Sequence, residues 1–434
     1  MPKFFVYTFG CRCNQADSAA IREGLCRNSL QEVESPLDAQ LVVVNTCTVT
    51  HRTDQQVRRT VRKLHRENPG ARLVVTGCYA ERDPQSIAAI PGVNLVIGNS
   101  DKERLAEIVF DEGPQSCGKI IRTRLDAARD YLLPSMRRTG GKTRPFVKIQ
   151  DGCDARCSYC IIPAVRGPGR SARTNDVLTE VETLIAGGYQ EIVLTGVHLG
   201  TYGRKQARPG SLTELLRRIL ELPGLGRLRL SSIEPMRFSR EIVDLAARHR
   251  SFAPHFHIPL QSGCDRILRR MRRPYTAARF FDLLRHIEMR LPSAAIGTDI
   301  IVGFPGETDE DFEETLQLVR AAPLSYLHIF PFSAREGTPA YSMTDSVAAT
   351  VIRERASALR ELSREKNLAF RRRFVDGILP ALTLAKEEEM GESAVLTENY
   401  IHARIPGLKI PANRLVDVRI VDVRPEGTAA SVVS

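Results

Sequence analysis

The sequence has no tryptophan, and its aromatic residues make up only 6% of the chain. It has no low-complexity tract, and no apolar run approaches the length that crosses a bilayer, which argues against a helical membrane protein. Met1 to Cys13 lack the marks of a signal peptide and run straight into a strand-like pattern. We therefore expect a soluble, cytoplasmic protein with no membrane partner. A phosphate-binding loop is also missing. Gly140-Gly141-Lys142-Thr143 imitates the end of one, but Met136 stands where its first glycine is required, so nucleoside triphosphate hydrolysis is rejected. Finally, a reducing compartment disfavours disulfides, so the ten cysteines point to metal or to catalysis.

What is present fits two or three ordinary domains: 434 residues, 42% hydrophobic and 26% charged. The net charge of +11 is compatible with a phosphate-rich partner, though many enzymes are as basic without touching nucleic acid. Three regions follow from the patterning. In the first, strand-like runs at Phe4–Phe9, Leu41–Val44 and Arg72–Val75 alternate with helical stretches such as Gln56–Arg66, where Val57, Val61 and Leu64 share a face. This predicts an open parallel α/β sheet over 1–135, and the polar stretch 111–144 reads as a linker. In the second, 139–370, six strand candidates predict a partial (β/α)6 barrel: Phe146–Gln150, Glu191–Thr195, Arg227–Ser231, His255–Pro259, Ile296–Val302 and Tyr326–Phe332. A long charged helix, Val351–Phe374, leads into the third, 371–434. There Thr383, Ser393–Thr397 and Leu415–Val423 predict a small all-β barrel.

Two cysteine sets carry the chemistry. Cys153, Cys157 and Cys160 follow the first strand of the predicted barrel, at the edge where such folds keep their active sites. Three thiolates on one loop can hold three irons of a [4Fe–4S] cluster and leave the fourth open. A structural zinc would need a fourth protein ligand, and no second Cys pair or neighbouring His supplies one; His198 and His257 are distant in sequence. Cys11, Cys47 and Cys78 each follow a predicted strand, so three equivalent strand ends can converge on one point. Cys13, expected to point the same way as Cys11 along an extended strand, competes with it; Cys11 is preferred because it follows Gly10. Cys26, Cys117 and Cys264 read as packing residues.

These residues resemble a known family. Cys153–Cys160, with Tyr159 before the last cysteine, is similar to the cluster loop of radical S-adenosylmethionine enzymes. Thr8-Phe9-Gly10-Cys11, Asn45-Thr46-Cys47 and Thr76-Gly77-Cys78 resemble the auxiliary-cluster motifs of its methylthiotransferase branch, as do His257–Gly263 and Asp299–Glu307. Leu194–Gly200, Ser231–Pro235 and Arg166–Arg170 most resemble the member acting on threonylcarbamoyladenosine beside the tRNA anticodon. The resemblance spans essentially the whole chain; Cys13 departs from it, standing where an apolar residue is usual.

The resemblance implies two [4Fe–4S] clusters, two uses of S-adenosylmethionine, and methylthiolation of adenine C2, an unreactive carbon that calls for a radical. The alternatives are an isopentenyladenosine in tRNA or an aspartate of a ribosomal protein. It implies catalysis at Cys153, Cys157 and Cys160, with sulfur carried at Cys11, Cys47 and Cys78, and an N-terminal domain lying across the barrel mouth. Tyr159 should face the cofactor's adenine and Thr195 and Gly196 its amino group. Ser232 and Glu234 are within reach of its ribose or amino group, and Gln261, Asp299 and Phe330 are wall residues. The expected partners are the tRNA anticodon stem-loop and an electron donor such as flavodoxin or ferredoxin. The C-terminal segment resembles the RNA-binding TRAM barrel. Arg58, Arg59, Arg62, Lys63 and Arg66, with Arg371, Arg372 and Arg373, are candidate phosphate contacts weighed against ordinary solvated faces. An iron–sulfur electron carrier would give each cluster a fourth cysteine, and a plain RNA-binding protein would never consume S-adenosylmethionine.

Overall fold

A computed structural model describes residues 1–113, 117–125, 133, 143–204, 211–385 and 391–433. The phosphate-loop mimic at Gly140–Lys142, the boundary at 135–139 and most of the expected linker lie outside these residues.

The N-terminal sheet is built from β1 (Lys3–Thr8), β2 (Gln31–Glu32), β3 (Leu41–Thr46), β4 (Arg72–Gly77), β5 (Val93–Ile97) and β6 (Lys119–Ile121). Its order is β2-β1-β3-β4-β5-β6, and every pair is parallel. The β3 run Leu-Val-Val-Val-Asn-Thr is buried throughout, as a strand covered on both faces must be. Helix α1 (Arg12–Arg27) follows β1, and helix α2 (His51–Glu67) follows β3. Thr50 caps α2 by accepting from the Thr53 amide, and Val57, Val61 and Leu64 turn inward as the periodicity requires. β6 corrects the linker reading: Lys119–Ile121 pairs with β5 as a short, mostly exposed edge strand. Cys13 is corrected too. The chain turns helical at Arg12, so Cys13 lies buried on α1 instead of along an extended strand.

The central unit contains β7 (Phe146–Asp151), β8 (Arg170–Ser171), β9 (Glu191–Gly196), β10 (Arg227–Leu230), β11 (His255–His257), β12 (Ala295–Val302) and β13 (Tyr326–Pro331). β10-β9-β7 and β11-β12-β13 are parallel sheets, and bridges Leu228–Phe252 and Ser232–His257 join them into one curved wall. The six predicted strands are all present, and β8 adds a short antiparallel edge. Its apolar core lies between strands and outer helices, and includes Ala16 and Ala19 of α1. That helix is therefore shared by two units. Burying each Val, Leu or Ile there contributes about 1.5–3 kcal/mol.

The helix Ala349–Arg372 leads to β14 (Ile378–Thr383), β15 (Ser393–Thr397), β16 (His402–Ile405), β17 (Leu415–Val423) and β18 (Thr428–Val432), a closed barrel in the order β14-β15-β16-β18-β17. Its β15–β16 turn caps the central barrel. Arg227 and Arg229 donate to the Leu396 and Thr397 carbonyls, and the Tyr400 ring stacks on His255 at 4.0 Å. Arg371 is corrected as a phosphate contact, because it turns inward to the Gly427 carbonyl and the Thr428 hydroxyl.

Candidate active site between two cysteine sets

Ligands of open parallel sheets bind beyond the strand carboxyl ends, at the point where strand order reverses. Here β1 lies between β2 and β3, and Cys11, Cys47 and Cys78 follow β1, β3 and β4 at that edge. The register sets Thr8 opposite Asn45 and Thr46 opposite Gly77, which brings the three cysteines level. Glycine is needed before two of them. Gly10 has φ +98°, and a Cβ there would lie 2.7 Å from Cys47 Cβ; Gly77 has φ +95°, and its Cβ would meet Asn45 Oδ1 at 2.5 Å. Thr46 ties two loops together, donating to the Thr76 carbonyl at 2.6 Å and accepting from the Tyr79 and Ala80 amides.

Asn14 organises this set. Its Nδ2 donates to the Phe9 and Thr46 carbonyls at 2.8 and 2.9 Å, and its Oδ1 accepts from Arg166 of the central unit. Arg166 also pairs with Asp17 at 3.0 Å and Asp151 at 2.8 Å, and Lys102 and Lys148 complete the buried cluster through Asp17. Three buried cations therefore share two carboxylates, and Arg170 approaches Asp151 at 3.7 Å. A buried excess of positive charge is costly without an anionic neighbour, and Cys78, Asp151, Asp17 and Cys11 together hold the Arg166 guanidinium firmly charged against its burial. The Cys13 thiol, hydrogen-bonded to Cys11, holds Cys11 down to about 5, whereas burial pushes Cys47 up to about 12. Cys13 itself faces Thr195 Oγ1 at 3.8 Å, across the interface with β9.

The second set lies on the loop after β7. Gly152, at φ +68°, precedes Cys153, and a Cβ there would collide with the Pro168 carbonyl. The Ala155 amide donates to Cys153 Sγ at 3.4 Å, and Arg273 Nη1 donates to Cys157 Sγ at 3.3 Å. Sulfur that accepts such bonds suits thiolate ligands of a cluster. Burial pushes Cys153 up to about 11 and Cys160 up to about 12. Arg273 also pairs with Glu234 and donates to the Tyr275 hydroxyl at 2.8 Å. Ser158 fixes the loop by bonding to the Arg270 and Met271 carbonyls.

A cavity of about 210 Å³ opens beside Cys160, lined by Val49 and Thr50 after Cys47, by Tyr159, and by Gln261, Asp299 and Phe330 on the barrel. Four of the expected wall and cofactor residues thus share one space. Thr195, Gly196, Ser232 and Glu234 lie outside this lining, on the loops and ends of β9 and β10. Burial opposes the charge of Asp299, but the imidazoles of His257 and His328, 3.1 and 3.2 Å from its carboxylate, hold it well below the usual carboxylate range. Ser232 bonds His257 Nδ1 at 2.7 Å. Arg335 ties the segment after β13 to the N-terminal unit, bonding Thr48 at 2.8 Å and Asp54 at 2.5 Å. Cys264 packs as expected and donates to Asp311 at 3.0 Å. Sequence reasoning missed the parts played by Asn14, Arg166, Arg273 and Arg335. Only Cys11-x2-Asn14 carried a local signal, in its closeness to a cysteine.

A six-stranded parallel barrel with a three-cysteine loop after its first strand defines a radical S-adenosylmethionine enzyme, and residues 147–319 match the radical SAM superfamily. Residues 3–98 match the uncharacterized protein family UPF0004. The threonylcarbamoyladenosine tRNA methylthiotransferase MtaB of Bacillus subtilis is 35% identical over 96% of this chain and 93% of its own. The tRNA-2-methylthio-N(6)-dimethylallyladenosine synthase of a Parafrankia species is 36% identical over 90% and 79%. The chain belongs to the radical SAM tRNA methylthiotransferase family, whose radical SAM unit uses a [4Fe–4S] cluster and S-adenosylmethionine. Among solved structures, the methyltransferase TsrM of Kitasatospora setae, with cobalamin and a [4Fe–4S] cluster, shares the fold at TM-score 0.56 and 17% identity, covering 78% of this chain and 77% of that one. No helix among the described residues is long and apolar enough to cross a membrane.

Proposed function

We propose that the protein methylthiolates C2 of the adenine in N6-threonylcarbamoyladenosine, beside the tRNA anticodon, using two [4Fe–4S] clusters and two molecules of S-adenosylmethionine. The observation that carries this reading is two three-cysteine sets at strand carboxyl ends, brought together where Cys78 packs against Ile161, the residue after Cys160. One set is tied to a buried cluster with a surplus cation. Cys153, Cys157 and Cys160 would hold the radical-generating cluster, and Cys11, Cys47 and Cys78 the auxiliary one. When bound, these groups supply a 5′-deoxyadenosyl radical and a methylthio unit. The chain's own part is to hold, align and shield. Tyr159 would lie against the cofactor's adenine, Thr195 and Gly196 near its amino group, and Ser232 and Glu234 along its ribose side. Gln261 and Asp299 would orient it from the wall, and the exposed face of Phe330 is free to stack a base. Gly10 and Gly77 let the auxiliary loops approach closely, and Asn14 and Arg166 fix those loops to the barrel.

For tRNA, α2 begins at the cavity and exposes Arg59, Arg62, Lys63 and Arg66, a run suited to phosphates. The C-terminal barrel would add a second RNA contact. A flavodoxin or ferredoxin would supply the electron. The family relatives named above include both threonylcarbamoyl and dimethylallyl enzymes, so the isopentenyl and ribosomal-aspartate substrates are the arms of the test. Anaerobically reconstituted enzyme should contain about eight irons, falling to about four in Cys11→Ala/Cys47→Ala/Cys78→Ala. Offered the three substrates side by side, it should methylthiolate threonylcarbamoyladenosine tRNA fastest. Four irons in both proteins would overturn the two-cluster mechanism. Preference for either other substrate would overturn the assignment.

A further inference from the structure

The interior of the central barrel is polar and incompletely satisfied. Arg229 Nη1, Ser231 Oγ and His255 Nδ1 are buried with no hydrogen-bond partner. Buried polar atoms in native proteins are nearly always paired, so three orphans on neighbouring strands point to a polar ligand that belongs there. Into the same region reaches Arg12, the residue directly after Cys11. It is half-buried, and its Nη2 donates to the Tyr400 hydroxyl at 3.1 Å. Tyr400 in turn stacks on His255, and the Arg229 guanidinium lies 5.3 Å from its ring centre. Arg229 pairs with Glu191 at 2.8 and 3.1 Å, a carboxylate it shares with Arg227 and Arg144. Among the described residues no carboxylate lies within ion-pair distance of Arg12, whose bond to a neutral phenol leaves its charge uncompensated. A guanidinium in such surroundings suits a carboxylate, which it binds in a charge-assisted, two-pronged fashion.

The threonylcarbamoyl reading, on which the following rests, supplies that anion. The substituent on N6 ends in a carboxylate and carries a hydroxyl and a urea, whereas an isopentenyl group has none of these. In adenine, N1 is bonded to C2 and to C6, and C6 carries N6, so an enzyme that brings C2 to the cysteine sets also brings the N6 substituent close to them. We propose that Arg12 is the specificity residue for the substrate base, pairing with the carboxylate of its N6 substituent while Ser231 Oγ and His255 Nδ1 receive the other polar groups. One peptide bond links Arg12 to Cys11, so recognition of the substituent and delivery of sulfur share a single short segment.

The test uses the reconstituted holoenzyme and three anticodon stem-loop RNAs, bearing threonylcarbamoyladenosine, its carboxylate methyl ester and isopentenyladenosine. Wild type should prefer the free acid to the ester by about 30-fold in kcat/KM. Arg12→Gln should abolish that preference, mainly through KM, with iron content and 5′-deoxyadenosine formation unchanged. Arg12→Lys should keep a part of it. Tyr400→Phe removes the bond that Arg12 makes in this structure and should leave the preference intact. If Arg12→Gln retains the acid-over-ester preference, the assignment to Arg12 falls while the substrate reading stands. Equal losses in Tyr400→Phe and Arg12→Gln would make Arg12 a strut and also overturn the proposal. A wild type that favours isopentenyladenosine would overturn the substrate reading, and this inference with it.

Discussion

Cys153, Cys157 and Cys160 come from one loop between β7 and the next helix, whereas Cys11, Cys47 and Cys78 come from the ends of three strands. The two sets nonetheless use related devices. A glycine with positive φ stands directly before Cys11, Cys78 and Cys153, and a buried arginine approaches each set, Arg166 at the first and Arg273 at the second. They differ in what holds them. The barrel loop is fixed within its own unit, by the Ala155 amide and the Arg273 guanidinium on its sulfurs and by Ser158 bonding to Arg270 and Met271. The N-terminal set is fixed by cross-ties, with Asn14 spanning loops and Arg166 reaching in from the other unit. A site closed by one loop can survive a change in its neighbours; a site assembled from three strands and a second domain depends on all of them.

The largest break in this comparison should come from Cys157→Ala against Cys47→Ala. The first should lower 5′-deoxyadenosine formation at least about 10³-fold. The second should keep that reaction and lose only the methylthio product, as read by chromatography of digested tRNA. Loss of both activities in both variants would show that the sets do not act separately.

Arg166→Met should come next, destabilising the fold by about 1–3 kcal/mol because buried Asn14 Oδ1 loses its guanidinium donor while Asp17 and Asp151 keep their lysines. Denaturant unfolding measures this, and iron should fall at the N-terminal set first. An equal loss at both sets would contradict the cross-tie account. Gly10→Ala should cost about 1–3 kcal/mol through its positive φ, plus the displacement of Cys47, and should halve the iron content. Gly152→Ala should instead remove the barrel's share, leaving the auxiliary iron in place.

Thr46→Val should have the smallest effect, about 1–2 kcal/mol, since it removes one hydroxyl that serves three backbone groups. Faster loss of auxiliary iron to a chelator, with the barrel cluster unchanged, is the expected reading.

Much of this architecture could be read along the chain. Four of the six barrel strands are six to eight residues long with apolar patterns, β10 and β11 are shorter and alternate, and α2 shows its period because only one face is buried. What escaped was short or exposed. β2 has two residues, β6 is a mostly exposed edge strand, and β16 and β18 complete a small barrel with half-exposed runs. Cys13 was misread because two residues after a strand can continue it or start a helix, and the turn at Gly10 decided for the helix.

The sequence by itself determined both cysteine sets, the glycines that let their loops turn, the barrel behind one and the sheet behind the other, because these depend on neighbouring residues and on periodicities of 2 and 3.6. Only the tertiary structure decided that Arg166 serves the N-terminal set, that Arg273 touches Cys157, that Arg12 meets Tyr400 and that Cys160 shares a cavity with the segment after Cys47. Those pairings join residues far apart in the chain. Their energies come from burial and charge compensation, which exist only once the units have packed.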